Sequence, residues 1–123
     1  MKRIIYMLGL SVLLFSFVVP ETENAESGVA SYYHKKFNGR KTASGEIFSN
    51  ENLTAAHKKL PLGTWVKVTN LKNDSVVIVR INDRLPRYSK RSIDLSRSAA
   101  RQLNFIKAGI TKVKIEIITP VQE

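Results

Sequence analysis

The chain has no cysteine in its 123 residues. Disulfide staples and lipid attachment at a cysteine are therefore excluded, and the core has to hold by itself. Histidine is also scarce. With 2 histidines and no His-Glu-x-x-His spacing, too few ligands exist for a zinc centre, and no metal or cofactor is expected. No glycine-rich phosphate loop occurs, nor a Gly-x-Ser-x-Gly elbow. Internal repeats and low-complexity tracts are missing. Acidic residues are few, 10 against 20 basic ones, which leaves a net charge of +10. A field of that sign attracts polyanions, although it also serves solubility.

One apolar stretch stands apart from the rest. Lys2 and Arg3 precede an almost unbroken apolar run from Ile4 to Val19, and Pro20, Glu21 and Thr22 close it. A charged start, an apolar middle and a polar boundary are the layout of a secretory signal. The run falls short of the ~20 apolar residues of a spanning helix, so no stable membrane anchor is expected after cleavage. Residues 1–25 read as the signal, with a cut near Ala25, and residues 26–123 as one domain. Removing the signal takes away Lys2, Arg3, Glu21 and Glu23, so the charge is unchanged. The product is expected to be exported, to the periplasm or to the cell wall and extracellular space. There, anionic wall polymers suit a basic surface better than nucleic acid, and no aromatic stacking row offers bases a platform.

The remaining pattern is that of strands. Gly28 to Tyr33 reads as a first strand and residues 34–45 as a polar loop. Ile47-Phe48 reads as a short extended piece, and Asn52 to His57 as one helical turn capped by Asn52 or Thr54. Thr64 to Asn70 alternates, with Trp65, Lys67 and Thr69 on one side and Val66 and Val68 on the other. A tight turn at Lys72-Asn73-Asp74 leads into Ser75 to Asn82, whose β-branched run suits a strand buried on both faces. Asp83 to Lys90 reads as a loop and Ser92 to Leu95 as a short strand. Ser96 is placed to cap a helix through Leu103, and Lys112 to Ile118 alternates as a last strand. Strands of this number and length, with one short helix, fit a small closed barrel, because closure removes exposed edges.

Between residues 27 and 122, each acidic residue has a plain explanation except one. Asp74 suits a turn, Glu116 the outer face of the last strand, and Glu51 the start of a short helix. Asp94 precedes the cap at Ser96 and reads as a loop-bonding group. Glu46 follows Gly45 in a polar loop, where a solvated charge is the simple reading. His57 reads as a buried, hydrogen-bonded structural histidine. Asp83, however, ends the most apolar strand at the mouth of the expected barrel. Desolvation there raises a carboxyl pKa and suits general acid catalysis, whereas pairing with Arg80 or Arg84 would lower it.

Several blocks in order resemble the rare lipoprotein A family: Gly28-Val-Ala-Ser-Tyr-Tyr33, Phe37-Asn-Gly-Arg40, Thr42-Ala-Ser-Gly-Glu46, Leu53-Thr-Ala-Ala-His57, Leu60-Pro-Leu-Gly63, Val66-Lys-Val-Thr-Asn70, Val79-Arg-Ile-Asn-Asp-Arg84 and Ile93-Asp-Leu-Ser96. The resemblance implies a mainly-β fold, a six-stranded double-psi β-barrel with one or two short helices, related to the first domain of expansins. It implies a lytic transglycosylase acting on peptidoglycan glycan strands, cutting after N-acetylmuramic acid to leave 1,6-anhydro ends. The alternative within the same resemblance is a non-catalytic wall-binding or wall-loosening module. It places catalytic roles on Asp83, Glu46 and His57: Asp83 as acid and base, Glu46 polarising substrate or sharing the proton, His57 orienting one carboxylate, with Asp83 and Glu46 exchangeable. Tyr33, Arg40, Thr42, Asn82 and Arg84 become substrate-binding candidates, and the protein is expected to act as a monomer. Three positions depart from the family pattern: Leu85 before Pro86 where glycine is usual, Tyr32 in place of tryptophan, and His34 in place of glycine.

Overall fold

The computed structural model describes residues 25–118. The expected signal segment lies outside the described residues except for Ala25, which opens the first strand. Six strands follow one another: β1 (Ala25–Tyr32), β2 (Thr54–His57), β3 (Trp65–Asn70), β4 (Val76–Arg84), β5 (Ile93–Leu95) and β6 (Thr111–Ile118). A 3-10 turn covers Lys35–Phe37, and one helix, α1, covers Arg97–Gln102. The strands close into a barrel in the order β1-β5-β2-β4-β3-β6. The β1–β5 and β2–β4 pairs are parallel and the others antiparallel.

Alternation along the strands fills the barrel. Val66 and Val68 of β3, Val77, Val79 and Ile81 of β4, and Val113 and Ile115 of β6 point inward and are buried with Leu95 and Leu103. Such burial removes about 25 cal/mol of unfavourable hydration per Å² of apolar surface. The helix is stopped and started as its sequence dictates: Ser96 Oγ accepts from the Ala99 N–H at its N-cap. Asn70, fully buried, donates to the Leu103 carbonyl and accepts from Thr111 Oγ1, tying the β3–β4 hairpin to the chain after α1.

Three local expectations need correction. Residues 52–57 do not form a helical turn, and Glu51 therefore stands at no helix start; Thr54–His57 is strand β2, buried at every position. Two alanines favour helix intrinsically, but β2 runs between β4 and β5 and gains backbone hydrogen bonds on both sides. The 75–82 run is not buried on both faces: Val76 and Ile78 look outward and are more than two-fifths exposed, since a small barrel has only one dry side. Finally, Asp83 and Arg84 are not loop residues, because β4 continues through both of them.

Candidate active site

The site is set by an irregularity in β4. Ala55 of β2 pairs with Ile81, but the next residue, Ala56, pairs with Asp83, so Asn82 is the extra residue of a β-bulge. A bulge re-aims the side chains that follow it. Ile81 keeps its place in the core, and Asp83 is turned to the same side as Ala56. On the other edge of β2, Ala56 pairs with Asp94 of β5. Two carboxylates therefore flank one alanine across three adjacent strands, with roughly 10 Å between their Cα atoms at the usual strand spacing. Both line a groove of ≈ 340 Å³ with Tyr33, Arg40, Thr42, Arg84 and Arg91. Ala56 itself is buried between them, packed with Tyr33, Phe48 and Leu85.

Asp83 is held by two donors. The Tyr33 hydroxyl donates to Oδ2 at 2.5 Å, and the Ala43 N–H donates to Oδ1 at 2.9 Å. Tyr33 itself is locked in place: its ring stacks on Phe48 at 4.2 Å between centroids and meets Phe37 edge-on at 5.6 Å. Burial raises the Tyr33 pKa far above the usual phenol value, and its bond to the Asp83 carboxylate adds to the rise. The phenol therefore stays protonated and can only donate to a charged Asp83. Arg80 and Arg84, the cations next to Asp83 in sequence, are spent elsewhere: Arg80 pairs with Glu46 at 2.9 Å, and Arg84 Nη1 donates to the His57 carbonyl at 3.2 Å.

Asp94 sits deeper. Burial pushes its carboxyl pKa up, opposed by a hydrogen bond from Ser31 Oγ at 2.9 Å and by Arg91, whose Nη1 lies 3.6 Å away. The negative charge of Asp83 pushes in the same direction as burial.

Glu46 occupies a different environment. It closes the 42–46 turn, in which the Thr42 N–H donates to the Glu46 carbonyl at 2.8 Å and the Ser44 N–H donates to the Asn82 carbonyl at 3.1 Å. Its carboxylate takes a hydrogen bond from Asn82 Nδ2 at 3.1 Å, and the Arg80 guanidinium holds it below the usual carboxylate range. Glu46 does not line the groove. The same turn presents the Ala43 N–H to Asp83, so Glu46 fastens to β4 the loop that grips Asp83.

His57 is buried at the end of β2. Its Nδ1 accepts from the Lys59 and Leu60 N–H groups, and its Nε2 lies 3.0 Å from Glu26 of β1. The ring bonds neither Asp83 nor Glu46, so the structure does not bring it into the carboxylate pair it was expected to orient. Arg40 does line the groove, held over the Phe37 ring at 5.2 Å. Thr42 is buried in the 42–46 turn with its hydroxyl bonded to Ser44 and to the Glu46 carbonyl. Leu85 has no left-handed backbone; its side chain fills the apolar base beneath Asp83 with Tyr33, Phe48 and Ala56.

Sequence reasoning missed Asp94, Arg91 and Glu26. For Asp94 a signal was present: between Ile93 and Leu95 it is the outward residue of a short strand, turned away from the core. Nothing in the order of residues says that its neighbour across β2 is Asp83.

The chain has relatives in both sequence and fold. The lytic transglycolase family matches residues 25–115. The endolytic peptidoglycan transglycosylase RlpA of Pasteurella multocida is 62% identical over 95 residues, covering 76% of this chain and 32% of that protein. Its namesake from Haemophilus influenzae is 54% identical over 93 residues, with the same coverage of 76% and 32%. The chain thus spans about a third of the length of these relatives. Among solved structures, the apo expansin of Clavibacter michiganensis superposes with a TM-score of 0.63 at 21% identity, over 80% of this chain and 52% of that one. The Streptomyces papain inhibitor superposes with a TM-score of 0.64 at 20% identity, over 79% of this chain and 96% of that one. Likeness at this identity shows the fold, the double-psi β-barrel.

Proposed function

Because this chain belongs to the lytic transglycolase family, we propose that it is exported, binds peptidoglycan glycan strands in the groove, and cleaves them after N-acetylmuramic acid to leave 1,6-anhydro ends. The observation that carries the reading is the Asp83–Asp94 pair, set on either side of Ala56 on the floor of an open groove. Asp83 is the acid and base. Protonated, it gives its proton to the glycosidic oxygen as the bond from C1 breaks. Ionised, it takes the proton of the sugar's own 6-hydroxyl as that oxygen closes on C1. No water is consumed, so the carboxylate separation that distinguishes hydrolases does not bear on it. Asp94, whose carboxyl pKa burial pushes up, lines the same groove and supplies negative charge beside the anomeric carbon when it ionises.

Tyr33 supports this cycle by donating to Asp83 in its charged form, and the Ala43 N–H does the same from the 42–46 turn. Arg40, Arg84 and Arg91 line the groove with positive charge suited to an anionic strand. Glu46, kept ionised by Arg80, is not the proton donor in this scheme. Its part is to hold the turn.

The test is digestion of purified glycan strands, with and without stem peptides, followed by mass analysis. Anhydro-ended fragments are expected from the native protein. Their absence, with retention of the strands, would leave the binding module that the expansin-like fold also permits.

A further inference from the structure

The outer face of the barrel next to the groove carries a large exposed aromatic. Trp65 opens β3 and is 44% exposed. It pairs with Arg80 across the β3–β4 ladder, and directly opposed residues share a face, so the indole and the guanidinium lie side by side. Arg80 in turn grips Glu46 at 2.9 Å. The Glu46 turn runs back to Thr42 in the groove wall and to the Ala43 N–H on Asp83. A continuous surface therefore leads from Asp83 over the 42–46 turn to Trp65. From Asp83 to Arg80 along β4 the rise is ~10 Å, at ~3.3 Å per residue, which is the scale of a disaccharide.

Nothing in the core needs Trp65. Its partners on the outer face are the exposed Ile78 and Val76, opposite Lys67 and Thr69, and they complete an apolar strip that the barrel leaves uncovered. Apolar strips rimmed by polar groups mark binding surfaces. Which ligand fits is decided by the combination. An indole offers a flat apolar face at small entropic cost. Beside it stand a planar guanidinium with donors left over from its one contact to Glu46, and a carboxylate that accepts. A pyranose matches both at once, with C–H bonds on its flat side and hydroxyls around its edge.

We propose that Trp65, with Arg80 and Glu46 beside it, forms an outer saccharide subsite that holds a sugar of the same glycan strand beyond the one at Asp83. This rests on the glycan-strand reading of the groove. In that role Glu46 serves twice: it fastens the turn that grips Asp83, and it holds the Arg80 guanidinium beside the platform.

The experiment uses the full chain carrying Asp83→Asn, so that binding is read without turnover. Affinity is measured by calorimetry for two probes: long peptide-free glycan strands and a single disaccharide unit. Adding Trp65→Ala is expected to weaken binding of long strands by about tenfold and of the disaccharide by less than about twofold. Trp65→Phe is expected to recover most of the loss. Unchanged melting temperatures of both variants check that the fold is intact. Equal losses for both probes, or none for long strands, overturn the subsite. Anhydro-product formation by the chain with Asp83 intact is followed separately: product without a Trp65 effect on strand binding leaves the cleavage reading standing and removes the subsite. A Trp65 effect without product does the reverse.

Discussion

Asp94 on the floor of the groove and Glu46 on its rim are both carboxylates beside an arginine, yet their surroundings drive them in opposite directions. Asp94 is largely dehydrated, and its arginine stands off at 3.6 Å, so burial wins and the pKa rises. Glu46 is open to water, and Arg80 touches it at 2.9 Å, so the ion pair wins and the pKa falls. Desolvation decides the first case and direct pairing the second. The lesson concerns roles. Burial on the floor favours the protonated form of a carboxyl; a direct arginine contact on the rim favours the charge that holds a loop.

The comparison breaks most sharply at Asp83. Asp83→Asn should lower anhydro-product formation by about 10²–10⁴-fold, the range of a lost general acid and base, with little change in melting temperature. An activity within a few-fold of the parent would remove the floor from the chemistry. Ala56→Val probes the same floor from below. Its extra methyl groups overpack the cluster beneath Asp83 and push on the strands that carry both carboxylates, so strand cleavage should fall steeply while stability drops by about 1–3 kcal/mol in a urea titration. Retained cleavage would mean that the two carboxylates do not work across the alanine.

On the rim, the expected outcome depends on the substitute. Glu46→Gln keeps an acceptor for Asn82 and should retain most of the activity; Glu46→Ala releases the turn and should lose roughly tenfold or more in kcat/KM, in line with the loss of a positioning contact. If the two variants are equally dead, Glu46 transfers a proton and the contrast drawn here collapses. The smallest effect is on stability. Asp94 has a raised folded pKa, so its favourable contribution is complete below the unfolded value of 3.8 and is lost as pH rises through the folded pKa. Asp94→Asn should therefore melt close to the parent in acid and above it near neutrality, the gap opening with pH. Glu46 has the opposite sign: its contribution is present above 4.5 and fades as pH falls through its lowered pKa. A thermal melt series against pH reads both.

Much of the barrel is written locally. The alternation of Val66 and Val68 with Trp65, Lys67 and Thr69 gave β3 its inner and outer faces, and the Ser96 cap gave the start of α1. The strand at 54–57 was hidden because its own residues favour a helical turn and only the flanking strands decide otherwise. Of the site, Asp83 was visible as a carboxylate ending an apolar strand. The bulge at Asn82 was not, since a one-residue offset in pairing leaves no mark in the order of amino acids. His57 shows the converse: it reads locally as a structural histidine, and its ring is indeed taken up by Glu26 and two backbone amides.

The sequence by itself determined that this is a cysteine-free, strongly basic β domain with few carboxylates to choose from, because charge, composition and side-chain period are properties of the chain alone. Only the tertiary structure decided which carboxylates meet. Asp83 and Asp94 are brought to either side of Ala56 by strand pairing between segments far apart in the chain, and the raised pKa of Asp94 follows from how little water that pairing leaves beside it.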